Sequence, residues 1–128
     1  AGKFGRYNID RQIIPDDPEK LKALLMKGTA SYDLIITTGG TGIGTKDITP
    51  DTVEPLLDKQ IPGIMESVRM KYGQDNPNAL LSRSIAGIAG KTLIYTLPGS
   101  TKAVEEYLEI ILPALKHSYL MVHDLDVH

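Results

Sequence analysis

Between Thr37 and Asp47 the chain reads TTGGTGIGTKD, with four glycines in the six positions 39–44. Gly39, Gly40 and Gly42 leave backbone N–H groups unscreened by side chains, while Thr38 and Thr41 add hydroxyl donors. Placed directly after an apolar run, such a loop can wrap closely around a phosphate or nucleotide. Neither common phosphate template fits. A P-loop needs Lys straight after its last glycine and Ser or Thr next, whereas Thr45 intervenes and Asp47 follows Lys46. The dinucleotide fingerprint needs glycine at position 45, which is Thr. A merely tight connection is the competing explanation, but turns seldom need four glycines. Asp47 stands at the loop's exit among anion-binding groups, where a carboxylate repels phosphate unless Mg²⁺ bridges the two. Its alternative duty, capping a helix, falls more naturally to Thr49. Asp16 is left unassigned once Asp17 caps the helix that follows, and by itself reads as solvated turn chemistry.

Leu97-Pro98-Gly99-Ser100 is the second candidate. A strand ends there, a glycine frees the backbone, and a helix N-terminus offers unpaired N–H groups with a partial positive charge. Lys102 adds a cation one turn inside, although Ser100 is also an ordinary N-cap. Two such ends in one small sheet favour a shared phosphate or nucleotide cleft. Ser82-Arg83-Ser84 lies nearby in sequence, and Arg83 could clamp a carboxylate or phosphate in bidentate fashion. A surface or subunit contact is its plainer role. Glu66 and Arg69 read as a surface ion pair on one helix. His117, His123 and His128 lack the spacing of a compact metal site. Tyr7, Tyr72 and Tyr95 have no basic interleaving for base stacking.

The elements that must position these residues follow from period and punctuation. Residues 6–14 alternate partly at Tyr7, Ile9 and Ile13, predicting a strand. Asp17 and Pro18 open a helix that carries Leu21, Leu24 and Leu25 on one face and stops near Gly28. Residues 33–38 predict a strand buried on both faces, as in a parallel sheet. Thr49-Pro50 starts another helix, kept short by Pro55. Apolar spacing over 61–72 predicts a further helix stopped at Gly73, and Asn76-Pro77 a short one. Residues 85–89 and 92–97 read as a hairpin across Gly90-Lys91. Ser100 then caps a long helix with Tyr107, Ile111 and Leu115 on its buried stripe and Pro113 bending or restarting it. The expected class is α/β, a mostly parallel sheet sandwiched between helices with an antiparallel edge hairpin.

The 128 residues form one domain, with 41% hydrophobic and 23% charged residues, a globular balance. A net charge of −2 argues against nucleic acid or anionic lipid as partner. No apolar run approaches membrane-spanning length. The absence of Cys excludes disulfides, thiolate metal sites and a cysteine nucleophile, and suits the cytoplasm. The chain begins at Ala1 rather than Met and carries no signal-peptide pattern.

Together the motifs resemble the molybdenum-cofactor biosynthesis domain, the family of molybdopterin adenylyltransferases. TTGGTGIGTKDITP at 37–50, LSRSIAG at 81–87 and LPGSTKAV at 97–104 carry the resemblance. IPDD at 14–17, Pro62-Gly63 with Glu66 and Arg69, and PALKH at 113–117 support it. Molybdate-inserting relatives typically have a Gly-Gly-Val-Ser type loop at 39–42, and competence-damage relatives a doubled Asp after the loop. The resemblance implies a sheet between helices, usually assembled as a homotrimer. It further implies that molybdopterin's terminal phosphate attacks the α-phosphate of ATP with Mg²⁺, giving adenylylated molybdopterin and pyrophosphate. A downstream molybdenum insertase would receive the product. By motif position, Asp47 matches the family's essential loop aspartate and Asp16 its partner. Asp47 would hold Mg²⁺, and the amides of residues 39–42 beside Thr38 would bind the nucleotide. Ser82, Arg83, Pro98, Gly99, Ser100 and Lys102 would steady the phosphate or pterin side. Thr101 replaces a Pro common after LPGS, and the family's first strand with its Asp- and Ser-containing loop has no counterpart before Arg6. A non-catalytic molybdopterin-binding or trimerising scaffold is therefore the alternative expectation, and hydrolysis of another nucleotide a weaker one.

Overall fold

A computed structural model describes residues 8–125 of the chain. Helix α1 (Pro18–Gly28) begins where Asp17 accepts hydrogen bonds from the N–H groups of Glu19 and Lys20, at 3.0 and 3.4 Å. Strand β1 (Leu34–Thr38) leads into the glycine loop, after which α2 (Thr49–Val53) lasts five residues. Pro55 then falls in a 3-10 turn, Glu54–Leu56, which ends that helix. Strand β2 (Lys59–Gln60), α3 (Pro62–Gly73) and a second 3-10 turn, Pro77–Leu81, precede the hairpin of β3 (Ala86–Ala89) and β4 (Thr92–Leu97). Helix α4 (Thr101–Val122) closes the described chain, with the Ser100 hydroxyl accepting from Ala103 N–H at 3.2 Å.

The strands lie in the order β1-β4-β3-β2, with β1 parallel to β4 and the other two pairs antiparallel. The α/β class holds, and the sheet of the described residues is mixed. Every residue of β4 is buried. Its Leu93, Tyr95 and Leu97 face Met65 and Val68 of α3 and Tyr107 and Ile111 of α4. Ile94 points the other way, into Leu21 and Leu25 of α1 and Val53 of α2. Alternation along β4 therefore holds both helical layers to one strand.

Four sequence expectations change. Residues 8–14 form no strand, and Arg6 and Tyr7 lie outside the described residues. Ile9 and Ile13 are 84% and 93% exposed, so their alternation has no buried face to satisfy. β1 is less buried than its apolar run suggested, because it is the outermost described strand on its side; Ile36 stays 40% exposed. Thr49 is not the cap of α2: Ile48 holds that position without a side-chain bond, and Thr49 is buried. α4 runs continuously through Pro113.

Candidate functional site

Parallel pairing of β1 with β4 sets Thr38 opposite Leu97, so both strands end side by side. The Gly39 N–H donates to the Leu97 carbonyl at 2.8 Å. A Cβ on Gly99 would meet Gly39 Cα at 3.3 Å, so the two loops touch. Between them opens a cleft of about 260 Å³. The first loop lines it with Gly40, Thr41, Gly42 and Asp47, and the second with Pro98 and Gly99. Asn78, Leu81 and Ser82 supply the remaining wall.

The glycine loop turns through positive φ at Gly39 (93°) and Gly40 (70°), and Thr49 N–H returns to the Gly40 carbonyl at 3.1 Å. Asp47 closes the loop on itself: its Oδ2 accepts from Gly44 N–H at 2.8 Å, and its own N–H donates to Gly44 O at 3.1 Å. Oδ1 makes no hydrogen bond to any described residue. The carboxylate thus serves the loop through one oxygen and retains the other.

Ser82 is held from several sides. Its hydroxyl accepts from Tyr107 OH at 3.1 Å and lies 2.9 Å from Ser84 Oγ and 3.4 Å from Thr41 Oγ1. Arg69, expected to pair with Glu66, instead donates from Nε to Ser82 O at 2.9 Å and from Nη2 to Ser84 O at 2.6 Å. Two backbone carbonyls in a fixed spacing suit the guanidinium fork better than a neighbouring flexible carboxylate.

Arg83 approaches the loop from outside the cleft wall. It donates to Gly42 O at 2.7 Å, to Asp47 O at 2.6 Å, and to both Asp51 oxygens at 3.0 and 3.1 Å. Hydrogen bonding to Arg83 lowers the pKa of Asp51, and the same bond raises that of Arg83. This guanidinium is spent on protein acceptors rather than held open for a ligand.

Among the sequence candidates, Gly40, Thr41, Gly42, Asp47, Ser82, Pro98 and Gly99 meet in one wall. Thr38 and Gly39 precede it in the chain without lining it, Thr38 exposed and Gly39 half-buried, and Ser100 and Lys102 lie exposed at the start of α4. Asp16 is exposed, and the cleft wall does not include it. Asn78 and Asp51 had no signal beyond helix-start punctuation at Asn76-Pro77 and Thr49-Pro50, and Leu81 none beyond its place at the head of LSRSIAG. No cluster of three or more His, Cys, Asp or Glu able to hold a metal occurs among the described residues, leaving Asp47 as the cleft's carboxylate. A smaller depression of about 190 Å³ at residues 29–33, Lys91 and Thr92 is braced internally. There Thr92 Oγ1 donates to Tyr32 O at 2.6 Å and lies 3.2 Å from Thr29 O.

Fold and cleft define an α/β domain with a cleft at the carboxyl ends of two neighbouring parallel strands, where such sheets commonly bind ligands. The family model described as "Probable molybdopterin binding domain" matches residues 3–117. The chain belongs to that family, and its role lies in molybdenum cofactor biosynthesis. It is 37% identical over 125 residues to a molybdopterin adenylyltransferase of Helicobacter pylori, spanning 91% of this chain and 71% of that protein. It is 43% identical over 114 residues to gephyrin of Dictyostelium discoideum, covering 88% of this chain but 16% of that much longer protein. The crystal structure of the molybdopterin biosynthesis enzyme MoaB from Thermus thermophilus superposes with a TM-score of 0.79 at 42% identity, over 86% of this chain and 70% of that one.

Proposed function

We propose that this chain adenylylates molybdopterin at the cleft between the two loops. The observation that carries the reading is the convergence of the glycine loop, Asp47 and the Pro98-Gly99 turn at paired strand ends. Similarity to the Helicobacter adenylyltransferase over most of both chains supports it.

In this reaction an oxygen of molybdopterin's terminal phosphate forms a bond to the α-phosphorus of ATP. The bond from that phosphorus to the bridging oxygen breaks, and pyrophosphate leaves. The attacking oxygen is already anionic, so the protein's work is alignment and charge neutralisation rather than proton removal. Amides and hydroxyls of the glycine loop bind the nucleotide phosphates, and the turn before α4, with Ser82, holds the pterin phosphate. Lys102 and Asp16 stand outside the wall and act, on this reading, only from its rim.

Mg²⁺ commonly takes one or two protein carboxylates together with substrate phosphates. A single carboxylate with one uncommitted oxygen, as at Asp47, fits that donor set. Asp47 would hold the ion, and the ion would supply charge neutralisation on the phosphates. The same reading has the chain work as a homotrimer in the cytoplasm and pass its product to a molybdenum insertase. No described helix is long and apolar enough to cross a membrane.

The decisive measurement is AMP transfer from ATP to molybdopterin in the presence of Mg²⁺. Asp47→Ala retains the native melting profile and loses about 10³-fold in turnover, the scale of removing a principal electrostatic stabiliser. Undiminished turnover in that variant would remove Asp47 from the mechanism. Retention of molybdopterin without any pyrophosphate release by the unaltered chain would instead identify a binding scaffold.

A further inference from the structure

We propose that Arg83 and Asp51 are positioning residues that hold the glycine loop in its ligand-binding shape. The inference rests on the reading of the cleft as the ligand site, yet concerns two side chains outside its wall. Three carbonyls of the loop end on Arg83. Its N–H donates to Thr41 O at 2.7 Å, and its guanidinium takes Gly42 O at 2.7 Å and Asp47 O at 2.6 Å.

A glycine-rich segment loses more conformational freedom on ordering than any other, so something outside it must hold it. Within the loop, Gly44 and Asp47 bond only one another's groups, and Gly40 is tied to Thr49. Arg83 bridges those two closures. Because a trans peptide sets N–H opposite C=O, drawing the Gly42 carbonyl to the guanidinium turns the Ile43 N–H the other way. The carbonyl oxygens, whose negative ends would oppose an anionic ligand, are thereby kept on the cation.

Asp51 supplies the second half of the device. From the first turn of α2 it grips both terminal nitrogens of Arg83 at 3.0 and 3.1 Å, fixing the plane of the fork. Lys at position 83 would keep the charge and lose the plane, since an ammonium is a point charge on a flexible stem.

The test is amide hydrogen exchange on the full chain, comparing the unaltered protein with Arg83→Lys and Asp51→Asn. Exchange at Gly44, Asp47 and Thr49 accelerates about tenfold in both variants while the amides of β4 keep their protection, the mark of local opening. Unchanged loop exchange in Asp51→Asn, or full protection in Arg83→Lys, would overturn the proposal. So would equal acceleration in β4, which marks general loss of stability. In parallel, the Kd for Mg·ATP rises about tenfold in Asp51→Asn, the consequence of a less populated competent loop. If the unaltered chain binds no Mg·ATP, the adenylylation reading fails while the exchange result still decides the positioning role.

Discussion

Gly40 has no room for a side chain. Its φ is +70°, and a Cβ there would lie 2.4 Å from Thr49 Oγ1, a buried atom with little freedom to retreat. Gly90 makes the matching control, with φ +62° and open space around it. Gly90→Ala costs about 1–2 kcal/mol, the backbone penalty alone. Gly40→Ala exceeds that figure, because a collision adds to the about 1–3 kcal/mol of local strain. Urea unfolding of the two variants gives the comparison, and equal costs would mean that Thr49 moves aside freely. The glycine cluster was plain in the sequence. Which glycine is closed in by a neighbour was not, because Thr49 read as a helix cap and is instead the residue that Gly40 packs against.

At the scale of elements, the capped helix starts were the most legible parts of the chain. Asp17 and Ser100 bind amides within three residues of themselves, so the geometry that selects them is local. Asn76 does the same at the short 3-10 turn, accepting from Asn78 N–H at 3.1 Å. Ser100→Ala therefore removes a real bond at the start of α4 and lowers stability by about 1 kcal/mol. Ser100→Asp, which retains the acceptor and suits the positive helix end, holds stability near the unaltered value. Thermal unfolding distinguishes them, and equal melting points for the Ala and Asp variants would show the cap to be idle. Pro113 was less legible. Its ring removes one helix hydrogen bond, but Ile111 and Tyr107 are buried on the same helix, and their packing carries α4 through without a break.

The whole molecule depends on β4, because one strand serves both helical layers. Ile94 is fully buried against α1 and α2, while Leu93 and Tyr95 are buried against α3 and α4. Ile94→Ala leaves a cavity and costs about 2–5 kcal/mol. Unfolding in urea stays a single transition by both far-ultraviolet and tyrosine signals, since neither layer keeps a core without β4. Two separated transitions would show that the layers fold independently. Burial also raises the pKa of the Tyr95 hydroxyl, as expected of a phenol in the centre of the sheet.

The residue pattern by itself determined what depends on near neighbours along the chain: the caps, the glycine stops, the apolar runs and the two loops that line the cleft. It also selected most of the cleft wall, because glycines clustered after a strand have few other uses. Only the tertiary structure decided what depends on the path of the chain. Arg83 reads as a ligand clamp until its partners are seen, and these lie 32, 36 and 41 residues away in Asp51, Asp47 and Gly42. Asn78 and Leu81 become cleft residues because α3 and the turn after it bring them there, not because of their type. Of the strand expected over residues 6–14, the described part, 8–14, is not formed for the same reason: alternation creates a strand only where a partner edge and a buried face receive it. Local hydrogen bonds and backbone preferences are written within a turn or two of sequence. The contacts that turn them into a site form only once Thr38 and Leu97 lie side by side.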